Sequence, residues 1–215
     1  MNINKKLIKY NYSSRNKIGI KYIVIHDTGN KNIGANAQNH FIYFNGGNRN
    51  ASAHYFVDDK EILQLVEDEN SAWHVGDGKG KKGITNSNSI GIEICINSDG
   101  DYAKAVEKAI ELTAYLMKLH NIDIEHVVRH YDASGKNCPQ TMNKNNWEPW
   151  RAFKIQLERE FNKPSNIVKV NIRGKLYEME GVFQNDKNYV GIRELAETLG
   201  YSVGWDQANK VVVIK

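Results

Sequence analysis

Residues 22–30 read YIVIHDTGN, a short apolar run that ends in a histidine and four turn-forming residues. An unbroken apolar run of this length is typical of a buried strand, and Asp-Thr-Gly-Asn predicts a turn directly after it. A second β-rich run, SIGIEICI at Ser89–Ile96, carries Glu93 in its middle. These two stretches predict buried strands of a central sheet.

Helical spacing alternates with these strands along the chain. Ala35–Phe44 and residues 102–120 place apolar side chains three and four positions apart, which predicts two amphipathic helices. Asp99 or Asp101 is available to cap the second of them. Trp147–Phe161 shows the same spacing and predicts a third helix.

The remaining segments complete an α/β pattern. Ala53–Val57 and Glu61–Val66 flank a turn sequence and predict a hairpin. Val127-Val128 predicts a strand that ends at His130, followed by a turn-rich loop through Pro139. Strands that alternate with helices in this order predict an α/β domain with a central mixed β-sheet flanked by helices.

A composition change divides the chain. We expect a first domain at 1–162, a linker at 163–167 and a small α+β domain at 168–215. A unit of about 50 residues buries only a marginal core, so it needs support from the first domain or from a second copy. The tail pattern predicts a strand, a hairpin partner, a helix and a final strand, at Val168–Ile172, Lys175–Val182, Tyr189–Leu199 and Val211–Ile214.

The net charge of +4 is unevenly distributed, because residues 1–21 hold six basic and no acidic residues. Such a segment can attract nucleic acid or an anionic cell surface. No nucleic-acid-binding motif accompanies it. We therefore expect a solvated arm that leads into the first strand, and no nucleic-acid partner.

The sequence pattern predicts neither a membrane-spanning helix nor a signal peptide. No apolar run approaches the ~18 residues that a spanning helix needs, and the basic start is not followed by the apolar core of a signal peptide. Two cysteines do not make a disulfide framework and are interpreted as separate thiols of a reducing cytoplasm. We expect a protein made in the cytoplasm without a signal peptide and without membrane insertion.

Three residues have the types and positions in the sequence that a zinc site requires. His26 ends one predicted strand, His130 ends another, and Cys138 follows eight residues later. Zinc prefers imidazole and thiolate ligands, and a catalytic site leaves its fourth position open. Accidental histidine triples and a cysteine that merely fills the core are the alternative.

Glu93 adds a second functional signal. A carboxylate inside an apolar strand is costly to bury unless it is paired, bound or catalytic. The alternative is an alternating strand in which Ile92 and Ile94 point inward while Glu93 and Cys95 face water. Cys95 is a poor surface residue, which favours a functional Glu93.

Five segments, taken in order, resemble one enzyme family. They are YIVIHDTGN, SAHYFVDD, SAWHVGDG, NSIGIEICIN and VVRHYDASGKNCP. They resemble the zinc-dependent N-acetylmuramoyl-L-alanine amidases of type 2, which are related to the peptidoglycan recognition proteins and common as phage endolysins. The resemblance covers about residues 18–162.

The resemblance implies roles for individual residues. His26, His130 and Cys138 would be ligands of Zn²⁺, Glu93 the catalytic acid–base group, and Lys136 the residue that faces the substrate carbonyl. Three further residues match positions near the family's cleft and would bind substrate: His54, Trp73 and His74. Some short phage amidases carry a tyrosine where this chain has Ala53, which leaves Glu93 as the proton carrier.

The tail resembles the small copper amine oxidase N-terminal-like domain of bacterial surface proteins, through VKVNIRGKLYE, YVGIRELAETLGYSVGWD and KVVVIK. The segment contains no histidine or cysteine, so the resemblance implies no copper. Wall attachment, a spacer role and homodimer formation are the roles that it leaves open.

The implied activity is hydrolysis of the bond between N-acetylmuramic acid and L-alanine in bacterial peptidoglycan, after release by a holin or by lysis. A non-catalytic peptidoglycan receptor and an intracellular amidase that recycles muropeptides are the alternatives. Such receptors typically lack the cysteine ligand, so Cys138 together with Glu93 weighs against the first. The wall-type tail weighs against the second.

Overall fold

The computed structural model describes residues 1–163, 167–184, 187–206 and 211–215. They form two compact units, Met1–Asn162 and Lys163–Lys215. The predicted linker falls mainly on residues 164–166, outside the described residues. The elements of the first unit are, in chain order, β1 (Ile3–Lys5), β2 (Tyr12–Ser14), β3 (Tyr22–Asp27), α1 (Ala37–Asn45), β4 (Tyr55–Val57), β5 (Ile62–Gln64), β6 (Asn70–Ala72), β7 (Ser89–Ile94), α2 (Tyr102–His120), β8 (Val127–Arg129), α3 (His130–Ser134) and α4 (Lys144–Phe161).

Six strands form the main sheet of the first unit, in the order β1-β5-β4-β7-β3-β8. β3 runs parallel to both β7 and β8, β4 runs parallel to β7, and β5 is antiparallel to β4. The predicted central mixed sheet flanked by helices is confirmed, and so is the hairpin of β4 and β5.

The sheet buries one face against two helices. Ile23 and Ile25 of β3 and Ile90, Ile92 and Ile94 of β7 pack with the apolar sides of α2 and α4. Burial of each such side chain stabilises the fold by about 1.5–3 kcal/mol. Because side chains alternate along a strand, this packing commits the intervening residues to the opposite face.

Helix α2 has the predicted bounds, and its cap is Asp101, whose side chain accepts the N–H of Lys104 at 3.2 Å. Asp99, the other candidate cap, instead accepts the N–H of Gly34. In α4 a left-handed stretch that includes Trp147 interrupts the first turn, so the regular helix begins one residue later than predicted.

Two predictions for the first unit are wrong. His130 does not end a strand: β8 ends at Arg129, and His130 begins α3. The basic start is not merely a solvated arm, because β1 pairs with β5 at the sheet edge. Arg15 is also buried, where it donates to the carbonyl oxygens of Asp68, Ser87 and Ser89.

The second unit is a small α+β fold. Its predicted helix begins later than expected, because Tyr189 belongs to a strand, and the strand at Val203–Asp206 was not predicted. Its elements are β9 (Ile167–Ile172), β10 (Lys175–Gln184), β11 (Lys187–Val190), α5 (Ile192–Thr198), β12 (Val203–Asp206) and β13 (Val211–Ile214). Across the described residues of both units, no helix has the length and apolarity needed to cross a membrane.

Candidate active site

The site is built on the register of β3 and β7, which pairs His26 directly with Glu93. Both side chains lie on the sheet face opposite the isoleucine core. The alternative in which this face of β7 is open to water fails at Cys95, which is 2% exposed and packs against the cluster around Phe56. The face that carries Glu93 is therefore largely covered.

The first residue of α3 and the loop that follows this helix supply the other two predicted metal ligands. His130 is the first residue of α3, and the following loop returns so that the N–H of Tyr131 donates to the carbonyl oxygen of Cys138 at 3.0 Å. His26, His130 and Cys138 are all buried, and one ligand atom from each lies within 4.8 Å of the others. The structure thus brings together three side chains that could hold a metal ion.

Hydrogen bonds show which nitrogen each imidazole can offer. His26 Nε2 lies 3.0 Å from His74 Nδ1, whereas His26 Nδ1 lies 3.7 Å from Cys138 Sγ. His130 Nε2 lies 2.8 Å from Asp77 Oδ1, whereas His130 Nδ1 is buried without a hydrogen-bond partner. Two Nδ1 atoms and one sulfur are therefore available to a cation.

The chemistry of this donor set fits zinc. Burial is the main cause, and the neighbouring His130 the second, that holds the pKa of His26 well below its usual value. The ring is therefore neutral and can coordinate a metal ion. Burial and the charge of Glu93 raise the pKa of the Cys138 thiol to about 12. A bound cation must therefore displace the thiol proton. The unpartnered Nδ1 of His130 would gain the partner that a buried polar atom requires.

Asp77 orients His130, and the sequence did not identify it. Its Oδ1 atom accepts from His130 Nε2, and its Oδ2 atom accepts from the hydroxyl of Ser134 at 3.0 Å. The turn that carries Asp77 approaches α3 closely, because a Cβ at Gly78 would lie 2.6 Å from the carbonyl oxygen of Ala133. Gly78, directly after Asp77, was the sequence feature that could have indicated this close approach.

Glu93 is placed to hold or release a proton. Its Oε1 atom lies 3.9 Å from His26 Nδ1, and its Oε2 atom is buried without a hydrogen-bond partner. Burial, reinforced by the negative charge of Asp27 and opposed by Lys136, raises the pKa of Glu93 to about 8. A carboxyl group in this range can exchange protons near neutral pH.

A cavity of about 300 Å³ opens onto these groups. The three candidate metal ligands and Glu93 line it together with Trp73, His74 and Lys136. Lys136 is exposed in the loop between α3 and Cys138, and it supplies a positive charge at the rim. The cavity therefore combines metal donors, a protonatable carboxyl group and a cation.

Residues 14–141 match the family model described as N-acetylmuramoyl-L-alanine amidase. This chain belongs to that amidase family. The Bacillus subtilis (strain 168) amidase XlyA is 43% identical over 136 residues, which cover 63% of this chain and 43% of XlyA. The amidase CwlA of Bacillus sp is 34% identical over 181 residues, which cover 83% of this chain and 69% of CwlA.

Solved structures agree with this membership. The structure of the catalytic domain of XlyA is 38% identical, with a TM-score of 0.65, and the match covers 73% of this chain and 99% of that domain. The solution structure of the PlyG catalytic domain is 37% identical, with the same TM-score, over 76% of this chain and 99% of that one. The chain spans about half the length of curated relatives such as XlyA and CwlH.

The tail of this amidase-family chain has a separate match. Residues 164–215 match the model described as copper amine oxidase N-terminal domain. No histidine or cysteine occurs in that segment, so it offers no imidazole or thiolate ligand for copper.

Of the three predicted substrate-binding residues in this amidase-family chain, Trp73 and His74 line the cavity, but His54 does not. His54 is fully buried, its Nδ1 accepts the N–H of Gly91 at 3.0 Å, and Arg15 lies against its Nε2. Burial and the Arg15 charge lower the pKa of His54 to about 4. His54 therefore lies behind the residues that line the cavity, and its role in substrate binding stays a prediction.

Proposed function

We propose that this chain is a zinc-dependent N-acetylmuramoyl-L-alanine amidase, which hydrolyses the bond between N-acetylmuramic acid and L-alanine in bacterial peptidoglycan. One observation carries the proposal. His26, His130 and Cys138 converge at a cavity that also contains a carboxyl group of raised pKa, and the Nδ1 atoms of both histidines are available there. The amidase names of the relatives support the same reaction.

His26, His130 and Cys138 would hold the zinc ion. When bound, zinc polarises a carbonyl group and lowers the pKa of water. Asp77 would keep His130 turned with its Nδ1 atom toward the metal, since a carboxylate at 2.8 Å fixes the proton on Nε2.

Glu93 and Lys136 would divide the proton transfer and the charge stabilisation between them. The carboxylate of Glu93 would accept a proton from the attacking water and return it to the departing amine of L-alanine. Lys136, on the same cavity wall, would stabilise the negative charge that develops on the carbonyl oxygen. Trp73 would contact the substrate beside them.

We propose that the tail acts outside catalysis, since every residue of the site precedes it. Attachment to the wall is the role that we favour, and pairing with a second copy is the other outcome to be tested. An enzyme with this substrate would act at the cell wall, after release through a holin or by lysis.

Digestion of purified peptidoglycan tests the reaction directly. Mass spectrometry should find new free N-terminal L-alanine, a chelator should abolish its formation, and added zinc should restore it. New reducing sugar ends without free L-alanine would show a glycosidase instead. Full activity of protein shown to be metal-free would remove the proposed role of zinc.

The two cysteines provide a matched pair of variants, because both are free and buried. Cys138→Ser should lose zinc or bind it weakly, since a neutral hydroxyl replaces a thiolate. Cys95→Ser should alter stability and leave the zinc content at one atom per chain. Equal loss of zinc in both variants would contradict the assignment of Cys138.

A further inference from the structure

A chain of hydrogen-bonding groups runs from His26 through His74 to Ser89. His26 Nε2 lies 3.0 Å from His74 Nδ1, and His74 Nε2 lies 3.1 Å from Ser89 Oγ. The Ser89 hydroxyl lies 2.5 Å from the carbonyl oxygen of Thr85, where this chain of groups ends. His26, His74 and Ser89 are 1%, 8% and 0% exposed, so water does not compete for these bonds.

The carbonyl oxygen at the end fixes the direction of every bond. A carbonyl oxygen only accepts, so the single hydroxyl proton of Ser89 is used on Thr85. The Ser89 oxygen must then accept from His74, which places the His74 proton on Nε2. A neutral His74 ring is left with a bare Nδ1, and this atom accepts the Nε2 proton of His26.

We propose that Thr85, Ser89 and His74 form a tautomer relay that holds the proton of His26 on Nε2 and keeps His26 Nδ1 bare for the zinc ion. The inference rests on the proposed function, because it assigns positioning residues to the proposed zinc site. His74 and Ser89 do not contact the cation in this scheme. They act through His26.

Local structure holds both ends of the relay. The backbone N–H groups of His74 and Val75 donate to Asn86 Oδ1 at 3.0 and 2.8 Å. Thr85 is fixed by reciprocal bonds with Asn88, whose Oδ1 atom accepts the Thr85 N–H at 2.8 Å. Both anchors belong to the same short turn that precedes β7.

Gly91 makes room for the His74 ring. A Cβ at this position of β7 would lie 2.6 Å from His74 Cγ and 2.7 Å from His74 Nδ1. No side chain fits at these distances, so any other residue would push the ring away from His26. The Gly-Ile-Glu sequence thus gives one position to the relay and another to the catalytic carboxyl group.

Variants that interrupt the relay should weaken zinc binding. Loss of a group that orients a metal ligand typically costs about 10–100-fold in metal affinity. We expect about a tenfold higher zinc Kd for Ser89→Ala and a larger increase for His74→Phe, measured by competition with a chromogenic chelator. His74→Asn should recover affinity relative to His74→Phe, because an amide oxygen can accept the Nε2 proton of His26.

Ser71→Ala is the matched control. Ser71 is 1% exposed and lies on β6, and its hydroxyl has no hydrogen-bond partner in the described part of the chain. It therefore removes a buried serine hydroxyl without touching the relay. Its zinc Kd should equal that of the parent.

Nitrogen-15 NMR of the histidine rings tests the tautomer itself in the metal-free, full-length protein at pH 7.5. The parent should show the protons of His26 and His74 on Nε2, and Ser89→Ala should move part of the His26 population to Nδ1–H. A His26 proton on Nδ1 in the parent would overturn the relay. So would unchanged tautomers and unchanged zinc Kd in folded Ser89→Ala and His74→Phe.

These results are separate from those of the proposed function. A parent protein that binds no zinc would contradict the proposed function, whatever the tautomers are. A parent that binds zinc and releases L-alanine, with relay variants that match it in tautomer and affinity, would contradict the relay alone.

Discussion

Replacing Glu93 with glutamine should stabilise the metal-free protein at alkaline pH. Burial and the nearby Asp27 raise the pKa of Glu93 from 4.5 to about 8. The folded state therefore prefers the neutral carboxyl group. Its contribution to stability is fully present below pH 4.5 and is lost as the pH rises through 8. Glutamine is neutral at every pH, so the Glu93→Gln variant loses no stability at this position as the pH rises.

The magnitude follows from the two pKa values. At about 1.4 kcal/mol for each tenfold change in proton affinity, the difference between 4.5 and about 8 gives at most about 5 kcal/mol above pH 8. The side chain is 19% exposed to the cavity, so water offsets part of this cost. We expect Glu93→Gln to be more stable than the parent by about 2 kcal/mol at pH 9 and by about zero at pH 4.

Thermal unfolding of the chelated protein, followed by circular dichroism at pH 4, 7 and 9, measures this difference. About 2 kcal/mol corresponds to a Tm gain of about 4–8 °C for a domain of this size. Zinc should reduce the gain, because a nearby cation favours the carboxylate of the parent. The same Tm difference at all three pH values would show that Glu93 does not titrate in this range, and the reasoning would fail.

Three further predictions concern the site and the tail. Asp77→Ala should weaken zinc binding about 10–100-fold in equilibrium dialysis, because His130 loses the group that orients it; unchanged affinity would contradict that role. Lys136→Met should keep zinc but lower kcat about 10²–10³-fold on soluble muropeptides. It should also raise the pKa of Glu93 in the metal-free protein, since the Lys136 charge lowers that pKa in the parent; an unchanged kcat would remove Lys136 from the mechanism. A chain ending at Asn162 should cleave soluble muropeptides at the full rate and lyse intact cells more slowly if the tail binds walls. If the tail instead forms dimers, the shortened chain should elute from size-exclusion chromatography as a smaller species than the full chain, and its lysis rate per active site should be unchanged. Loss of activity on soluble muropeptides would contradict both roles.

The sequence predicted those parts of the fold that depend on local pattern. β3 and β7 are unbroken apolar runs, and α2 has both helical periodicity and a capping aspartate, so each was identified with nearly correct bounds. β1 escaped prediction because three residues in a basic segment carry no pattern of their own. Its pairing with β5 exists only in the folded sheet.

The sequence predicted which residues form the candidate site but not how they contact one another. The resemblance placed His26, His130 and Cys138 in one zinc site, and the structure brings these side chains together. Gly78 could have indicated a close backbone approach next to Asp77, but the sequence does not identify His130 as the partner. The two residues are 53 positions apart, and the contact depends on how closely a turn packs against α3. His54 shows the same limit: a motif match near a cleft does not tell a residue that lines the cleft from one buried behind it, and His54 is buried.

Stability and chemistry depend here on the same strand register. The isoleucines of β3 and β7 face α2 and α4 only if the two strands pair as they do, and that pairing also sets His26 beside Glu93. A shift of β7 by one residue would turn its apolar side chains away from the helices and direct Ile92 or Ile94 into the cavity. The burial of several isoleucines, at about 1.5–3 kcal/mol each, opposes that shift. The core therefore fixes the positions of the proposed catalytic carboxyl group and of the first proposed metal ligand.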